Sequence, residues 1–150
     1  MDGEYIVRLI RKEELRNLLN LYKHLKNGDP ELEDCKDLQD LWDGIFTDPH
    51  LYYIVAEKDG LLVSTCTISI IKNLTRGMRS YGLIENVVTH SEYRNLGLGK
   101  KVLNKAIDIA KANHCYKVML LTGSKKKETL DFYKSVGFKD DVKTGFIIKL

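Results

Sequence analysis

The 150-residue chain has two prolines, one tryptophan, three cysteines and no long run of apolar residues. Each scarcity closes something off. A bilayer-spanning helix takes about 20 consecutive apolar residues, and no stretch approaches that length, so no membrane association is expected. Cys35, Cys66 and Cys115 are odd in number and widely spaced. They suit buried free thiols in a reducing compartment better than a disulfide frame or a metal site. Net charge is only +3, from 24 basic against 21 acidic residues. That excess does not argue for a nucleic-acid surface, although it suits an anionic cofactor. The start, Met1-Asp2-Gly3-Glu4, is acidic and unlike a secretory signal. No repeat, low-complexity tract or linker interrupts the chain. The expectation is one cytoplasmic domain over residues 1–150.

What is present is ordered by hydrophobic period. Tyr5 to Ile10 is rich in β-formers and reads as a strand. From Arg11 to Leu25, apolar Leu15, Leu18, Leu19, Tyr22 and Leu25 recur on one helix face, with Asn27-Gly28-Asp29-Pro30 as the stop. Leu38, Leu41, Trp42 and Ile45 mark a second short helix, closed before Asp48-Pro49. Strands over Leu51 to Glu57 and Leu61 to Ile71 flank the hairpin turn Lys58-Asp59-Gly60. Lys72 to Ser80 is a polar loop, and Tyr81 to Thr89 a central strand with few charges. Leu98 to Asn113 carries a wide apolar helical stripe. Lys117 to Thr122 is a buried strand, Gly123 to Lys127 a basic connection, and Leu130, Tyr133 and Val136 share a helix face closed by Gly137. Gly145 to Leu150 reads as a last strand. The order β-α-α-β-β-β-α-β-α-β belongs to the α/β class, a mixed sheet with helices over its faces.

The most telling stretch joins the central strand to the long helix: Ile84-Glu85-Asn86-Val87-Val88-Thr89, then Tyr93-Arg94-Asn95-Leu96-Gly97-Leu98-Gly99-Lys100. A glycine turn opening a helix aims several N–H groups at the positive end of the helix dipole, where phosphate binds. An Arg/Gln-x-x-Gly-x-Gly/Ala match arises by chance in roughly one chain in seven of this length, so context must decide. The spacing resembles the coenzyme A pyrophosphate loop of the GNAT acetyltransferases. Phe132-Tyr133-Lys134-Ser135-Val136-Gly137-Phe138 is similar to the Phe-Tyr-x-x-x-Gly-Phe signature of the same family, on the helix where members carry it. The element order agrees. The resemblance implies the GNAT fold, a mixed and mostly antiparallel central sheet covered by helices on both faces. It also implies acetyl-coenzyme A as cofactor, no metal, and acetyl transfer to a primary amine of a small molecule or peptide.

On that resemblance, the amides of Asn95, Leu96, Gly97, Leu98, Gly99 and Lys100 face the pyrophosphate. Arg94 either contacts the diphosphate or braces the turn. The acetyl group lies against the central strand, where a bulge frees a backbone N–H, Val88 first and Val87 next. Tyr133 is the expected general acid, since a phenol can return a proton to a thiolate held within hydrogen-bond reach. Glu85 is either a base acting through water or half of a structural ion pair, and Asn86 binds substrate or orders that water. His90 is a loop residue or a group titrating near neutrality, and His114 is structural. Where many members have an asparagine on the cofactor's pantetheine arm, this chain has Lys126, which meets a cofactor phosphate or lies in a solvated loop. Arg76 and Arg79 could hold an acidic or phosphorylated acceptor.

Ile84-Glu85-Asn86-Val87-Val88 and His114-Cys115-Tyr116-Lys117-Val118 are similar to stretches of glucosamine-6-phosphate N-acetyltransferases. Those show Glu-Asp where Glu85-Asn86 stands here, and a shorter connection before the Phe-Tyr motif. Glucosamine 6-phosphate is therefore one candidate acceptor. A non-catalytic acyl-coenzyme A sensor is the alternative, against which the retained Tyr133 argues. The family also allows a homodimer.

Overall fold

The structure, a computed structural model, describes residues 3–25 and 29–150. Five strands form one sheet in the order β1 (Ile6–Leu9), β2 (Leu51–Lys58), β3 (Leu61–Ile71), β4 (Tyr81–Thr89), β5 (Val118–Leu120). Neighbours from β1 to β4 run antiparallel, and β5 joins β4 in parallel. The mixed, mostly antiparallel α/β sheet is thus the expected one. Asp59 and Gly60 take φ of 50° and 82°, the left-handed pair that a two-residue hairpin needs to match strand twist.

Residues two apart on a strand share a face, so each strand feeds two cores. Ile54, Cys66, Ile68 and Ile84 pack under α3 (Leu98–Ala112), whose buried side chains are Leu98, Val102, Leu103, Ala106 and Ala110. On the other face Val55, Leu62 and Val88 meet α1 (Leu15–Tyr22) and α2 (Lys36–Thr47) through Leu18, Leu21 and Trp42. The Trp42 indole N–H donates to the Lys12 carbonyl at 2.8 Å and so ties α2 to the short 3-10 turn ahead of α1. A fourth helix, α4 (Lys127–Val136), ends at Gly137 with φ 118°, the left-handed position expected of a glycine there.

Several boundaries differ from the sequence reading. The first helix begins as a 3-10 turn over Lys12–Glu14, and the residue buried with Leu18 is Leu21, while Leu25 stands exposed. The stop at Asn27-Gly28 lies outside the described residues. Leu41 is exposed beside buried Trp42. Cys35 is exposed, Cys66 buried and Cys115 half-buried, all three free. The largest departure is Gly145 to Leu150, which forms no strand and leaves Phe146, Ile147, Ile148 and Leu150 in solvent. β-propensity describes fit to a pleated, half-buried surface, and it makes no strand without a ladder partner.

Arg8 locks the open end of the sheet. Its guanidinium donates to both Glu14 carboxylate oxygens, at 2.8 and 3.0 Å, and to Glu57 at 2.6 Å, with all three side chains under one-fifth exposed. Burial works against the Glu14 charge, but hydrogen bonds from the Arg8 guanidinium and the Arg11 N–H outweigh it and lower the carboxyl pKa. That contribution is complete above the ordinary carboxylate range and is lost as pH falls through the lowered value. Arg8→Ala should cost about 2 kcal/mol in a denaturant melt at pH 7 and flatten the acid limb of stability. A melt with an unaltered midpoint would show that the triad contributes nothing.

Candidate active site

The site begins with one extra residue. Thr65 pairs with Val88 and Thr67 with Glu85, so Cys66 alone faces both Asn86 and Val87. Asn86 takes φ 54°, a left-handed conformation that asparagine tolerates better than most residues. This is the β-bulge that family resemblance implied.

Ladder alternation shows where the amides go. The His90 N–H donates to Val63 O at 2.8 Å, and counting back two residues puts the Val88 N–H in the β3 ladder too. From the other end, the Gly82 N–H donates to Lys117 O at 3.0 Å on the β5 side, which sends the Glu85 N–H toward β3. Asn86 and Val87 lie between, outside the alternating ladder. Pairing of β4 with β5 stops at Ile84 and Leu120, so the two strands part where those residues stand. Val88 was the first choice as carbonyl donor. Its amide is committed to β3 and its side chain to the α1–α2 core, so the expectation moves to Val87 and Asn86.

A cleft of about 210 Å³ fills this fork. Ile84, Glu85, Asn86 and Val87 line one side, Leu120, Leu121, Thr122 and Gly123 the other, with Tyr133 and Leu25 closing it. A larger hollow of about 570 Å³ lies between Lys134 and Val142, wide open and holding none of the expected groups, so size does not pick the site. Tyr133 is half-buried against Phe132 and Phe138, at ring-centroid distances of 5.1 and 6.2 Å. Burial, and after it the neighbouring Cys66, raises the phenol pKa. It therefore keeps its proton at neutral pH.

Beyond the fork the chain makes the turn that opens α3. Asn95 at φ 64° and Gly97 at φ 79° are both left-handed, and Gly97 caps the helix. Alternating handedness of this kind turns successive N–H groups toward one point, next to the unpaired amides of a helix's first turn. A Cβ on Gly97 would meet nothing within 4 Å, so its conformation alone calls for glycine there. At Gly99 the reason differs: a Cβ would stand 2.9 Å from Phe132 Cζ. Its bareness lets α4 seat against the start of α3. The loop thus offers a cradle of amides at a helix N-terminus, which fits a diphosphate. Leu98 is buried, while Leu96 and Lys100 are exposed.

Arg94 does brace the turn. Its Nε donates to Thr89 O at 3.2 Å and its Nη2 to His24 O at 3.3 Å, joining the end of β4 to the end of α1. Lys126 is the exposed cap residue of α4, outside the cleft lining, and its N–H donates to Ser124 Oγ at 3.3 Å. Arg76 and Arg79 are not brought to the cleft. They precede β4, at the end away from the bulge. Arg79 donates to His114 O and Cys115 O at 3.1 and 2.9 Å, and Arg76 lies over the Tyr116 ring.

His24 was not anticipated. Its ring stacks on His90 at 4.1 Å between centroids, and its Nδ1 accepts the Ser91 N–H at 3.3 Å. His90 accepts from the Glu92 N–H at 3.2 Å, which makes it a turn residue. The only sequence sign was a histidine near the end of an apolar helix stripe, and its partner lies 66 positions away.

Residues 12–138 match the model of the Acetyltransferase (GNAT) family. The chain belongs to that family. It is 31% identical over 137 residues to a glucosamine 6-phosphate N-acetyltransferase of Trypanosoma brucei brucei, covering 89% of this chain and 88% of that protein. A solved structure from Agrobacterium tumefaciens, provisionally named an acetyltransferase, superposes with a TM-score of 0.91 at 40% identity, over 97% of this chain and 99% of that one. The crystal structure of glucosamine-6-phosphate N-acetyltransferase from Arabidopsis thaliana gives 0.83 at 25% identity, over 98% of each chain. The GNAT chain described here is an acetyl-coenzyme A-dependent N-acetyltransferase. Among the described residues no helix is long and apolar enough to cross a membrane, and no group of His, Cys, Asp and Glu could hold a metal.

Burial, then His90 and Arg94, lowers the His24 pKa against the opposing pull of Glu92, so the ring is neutral at pH 7. Its contribution to stability is present above the ordinary imidazole range and is lost as pH falls through the lowered value. The thermal midpoint should drop between about pH 7 and pH 5, and less steeply in His24→Phe, which stacks but does not titrate. Parallel slopes for the two proteins would remove His24 as the titrating group.

Proposed function

We propose that this GNAT domain, spanning residues 1–150, acetylates the primary amine of a small molecule and works as a homodimer, with glucosamine 6-phosphate as the first acceptor to test. One observation carries the reading. The fork between β4 and β5 gathers a carboxylate, a protonated phenol and two off-ladder positions of a bulge in one cleft beside an amide cradle. Acetyl-coenzyme A supplies the acetyl group as an activated thioester.

Each residue then has one task. The amides from Asn95 to Lys100 hold the diphosphate, and Arg94 keeps that turn in place. Val87 and Asn86 direct N–H groups at the acetyl oxygen, where charge develops as the amine adds. Such donors are already oriented and add little reorganisation cost. Glu85 takes the ammonium proton through a water, so that the nitrogen presents its lone pair. Tyr133 gives its proton to the sulfur as the carbon–sulfur bond breaks, and the phenolate recovers a proton from the adduct's nitrogen; its raised pKa keeps the phenol protonated across neutral pH. Asn86 stands where the similar amino-sugar enzymes have aspartate. Both residues tolerate the left-handed bulge, so the exchange keeps the backbone and removes one negative charge.

The acceptor relation rests on the similarity to the Trypanosoma brucei brucei and Arabidopsis thaliana enzymes. It is tested by following thiol release with glucosamine 6-phosphate, glucosamine, polyamines and peptide N-termini. The expected result is saturation with glucosamine 6-phosphate at the highest kcat/KM. A higher value for a polyamine or a peptide would reassign the acceptor.

Tyr133→Phe should lower kcat about a hundredfold or more while the Kd for acetyl-coenzyme A stays the same. Full turnover would retire Tyr133 as the acid. Gly97→Asp puts a side chain at φ 79° and a negative charge in the cradle. It should weaken cofactor binding about tenfold or more in a calorimetric titration, and unchanged binding would sink the loop assignment.

A further inference from the structure

Three polar side chains are buried within the sheet, Ser64, Thr65 and Thr67. Two of them are accounted for. Ser64 Oγ bonds Val88 O at 3.2 Å and Thr89 Oγ1 at 2.9 Å, and Thr65 Oγ1 donates to Ile54 O at 2.6 Å. Thr67 Oγ1 and the Tyr22 phenol oxygen, by contrast, have no hydrogen-bond partner among the described residues. Leaving a buried hydroxyl unpaired destabilises a fold, so each such group calls for a reason.

Strand pairing shows what Thr67 stands beside. On β2 it faces Tyr53, and on β4 it faces Glu85. Residues directly opposite in a sheet point to the same side, with Cβ atoms about 5 Å apart. Tyr53, Thr67 and Glu85 therefore form one row across three strands, on the face that α1 and α2 cover. Glu85 ends the row at the cleft, where it is exposed. Tyr22 and Tyr53 bring their phenols toward the Thr67 hydroxyl from the buried end. Burial pushes the Tyr22 phenol well above its ordinary value, so it keeps its proton and can donate. Across the cleft, the ionisable group on the far side from Glu85 is Tyr133.

We propose that Thr67 is a positioning residue for Glu85: Tyr22 donates to Thr67 Oγ1, and Thr67 donates to the Glu85 carboxylate when the cleft is filled. A hydroxyl has one proton to give, so the chain runs one way, from phenol to threonine to carboxylate. Acetyl-coenzyme A and the acceptor displace water from the cleft, and a carboxylate losing its water takes the nearest free donor. A hydrogen bond to the ionised form favours that form. It also fixes the carboxylate and leaves its other oxygen for the water that relays the ammonium proton. This role rests on Glu85 being the base, as proposed above.

The test compares pH profiles of kcat/KM for the amine that saturates in the thiol-release panel. Thr67→Val keeps the shape and removes the hydroxyl. It should lose about tenfold below the acid limb, shift that limb up by about one pH unit, and rejoin the parent curve above it. Thr67→Ser should restore the profile, and Tyr22→Phe should move the limb the same way as Thr67→Val. Neither Thr67→Val nor Tyr22→Phe should lower the thermal midpoint, because the oxygens removed are unpaired in the free enzyme. A crystal structure with coenzyme A and acceptor bound should put Thr67 Oγ1 about 2.7 Å from a Glu85 oxygen. An equal loss at every pH, a lowered midpoint with an unmoved limb, or a missing contact would overturn the role. Glu85→Gln separates the two readings. A limb lost in Glu85→Gln but unmoved in Thr67→Val sinks the role of Thr67 alone. A limb that survives Glu85→Gln sinks the base itself, and the role of Thr67 with it.

Discussion

The functional geometry hangs on a single insertion in β4. Without it, the alternation of N–H groups that begins at Gly82 would run unbroken to His90, and no two neighbouring residues would leave the β3 ladder together. The insertion shifts the register of β4 against β3 between Thr65 and Thr67. It also marks where the parallel pairing with β5 ends, so the fork and the off-ladder amides come from one event. The left-handed backbone at Asn86 costs on the order of 1 kcal/mol. The long ladder of β2 on β3, and two cores packed on opposite faces, hold the sheet firmly enough to keep that strain in place.

The Phe-Tyr pair of α4 is a second device of the same economy. Consecutive helical residues point about 100° apart. Phe132 goes to the start of α3, filling the space that Gly99 leaves bare, and Tyr133 turns to the fork. The seating of one ring therefore aims the other. Gly99 belongs to this joint as much as to the amide cradle, which explains why two glycines two residues apart are required for different reasons. Arg94 closes the arrangement from the opposite side by holding the ends of β4 and α1 together.

What the sequence made legible was whatever depends on period and local chemistry. The bounds of β3 and β4, the α3 stripe, the Asp59-Gly60 turn and the Gly137 cap all agree with the structure. What it hid depends on partners distant in the chain. The bulge lies in the pairing of β4 with β3, and no residue of β4 announces it. Arg94 had two open readings because its carbonyl partner at His24 is 70 positions away. Arg79 looked free for an acidic acceptor, yet two backbone carbonyls at the α3–β5 corner hold its guanidinium. Gly145 to Leu150 reads as a strand by composition, but a strand is a relation between two segments.

The electrostatics of the cleft constrain the acceptor further. Among its lining residues Glu85 and Tyr133 are the ionisable ones, and the phenol is neutral, so the cleft carries one negative charge and no cation of its own. An amine arriving as its ammonium is drawn to that carboxylate, which the proposed mechanism makes its base. A phosphate on the same acceptor would be repelled by Glu85 at close range, so it must extend out of the fork while the amine points in. Asn86 in place of an aspartate halves the negative charge that such a phosphate would meet on its way. Selectivity for a phosphorylated amine would then come from cations outside the cleft, and the chemistry inside it would be indifferent to what the amine is attached to.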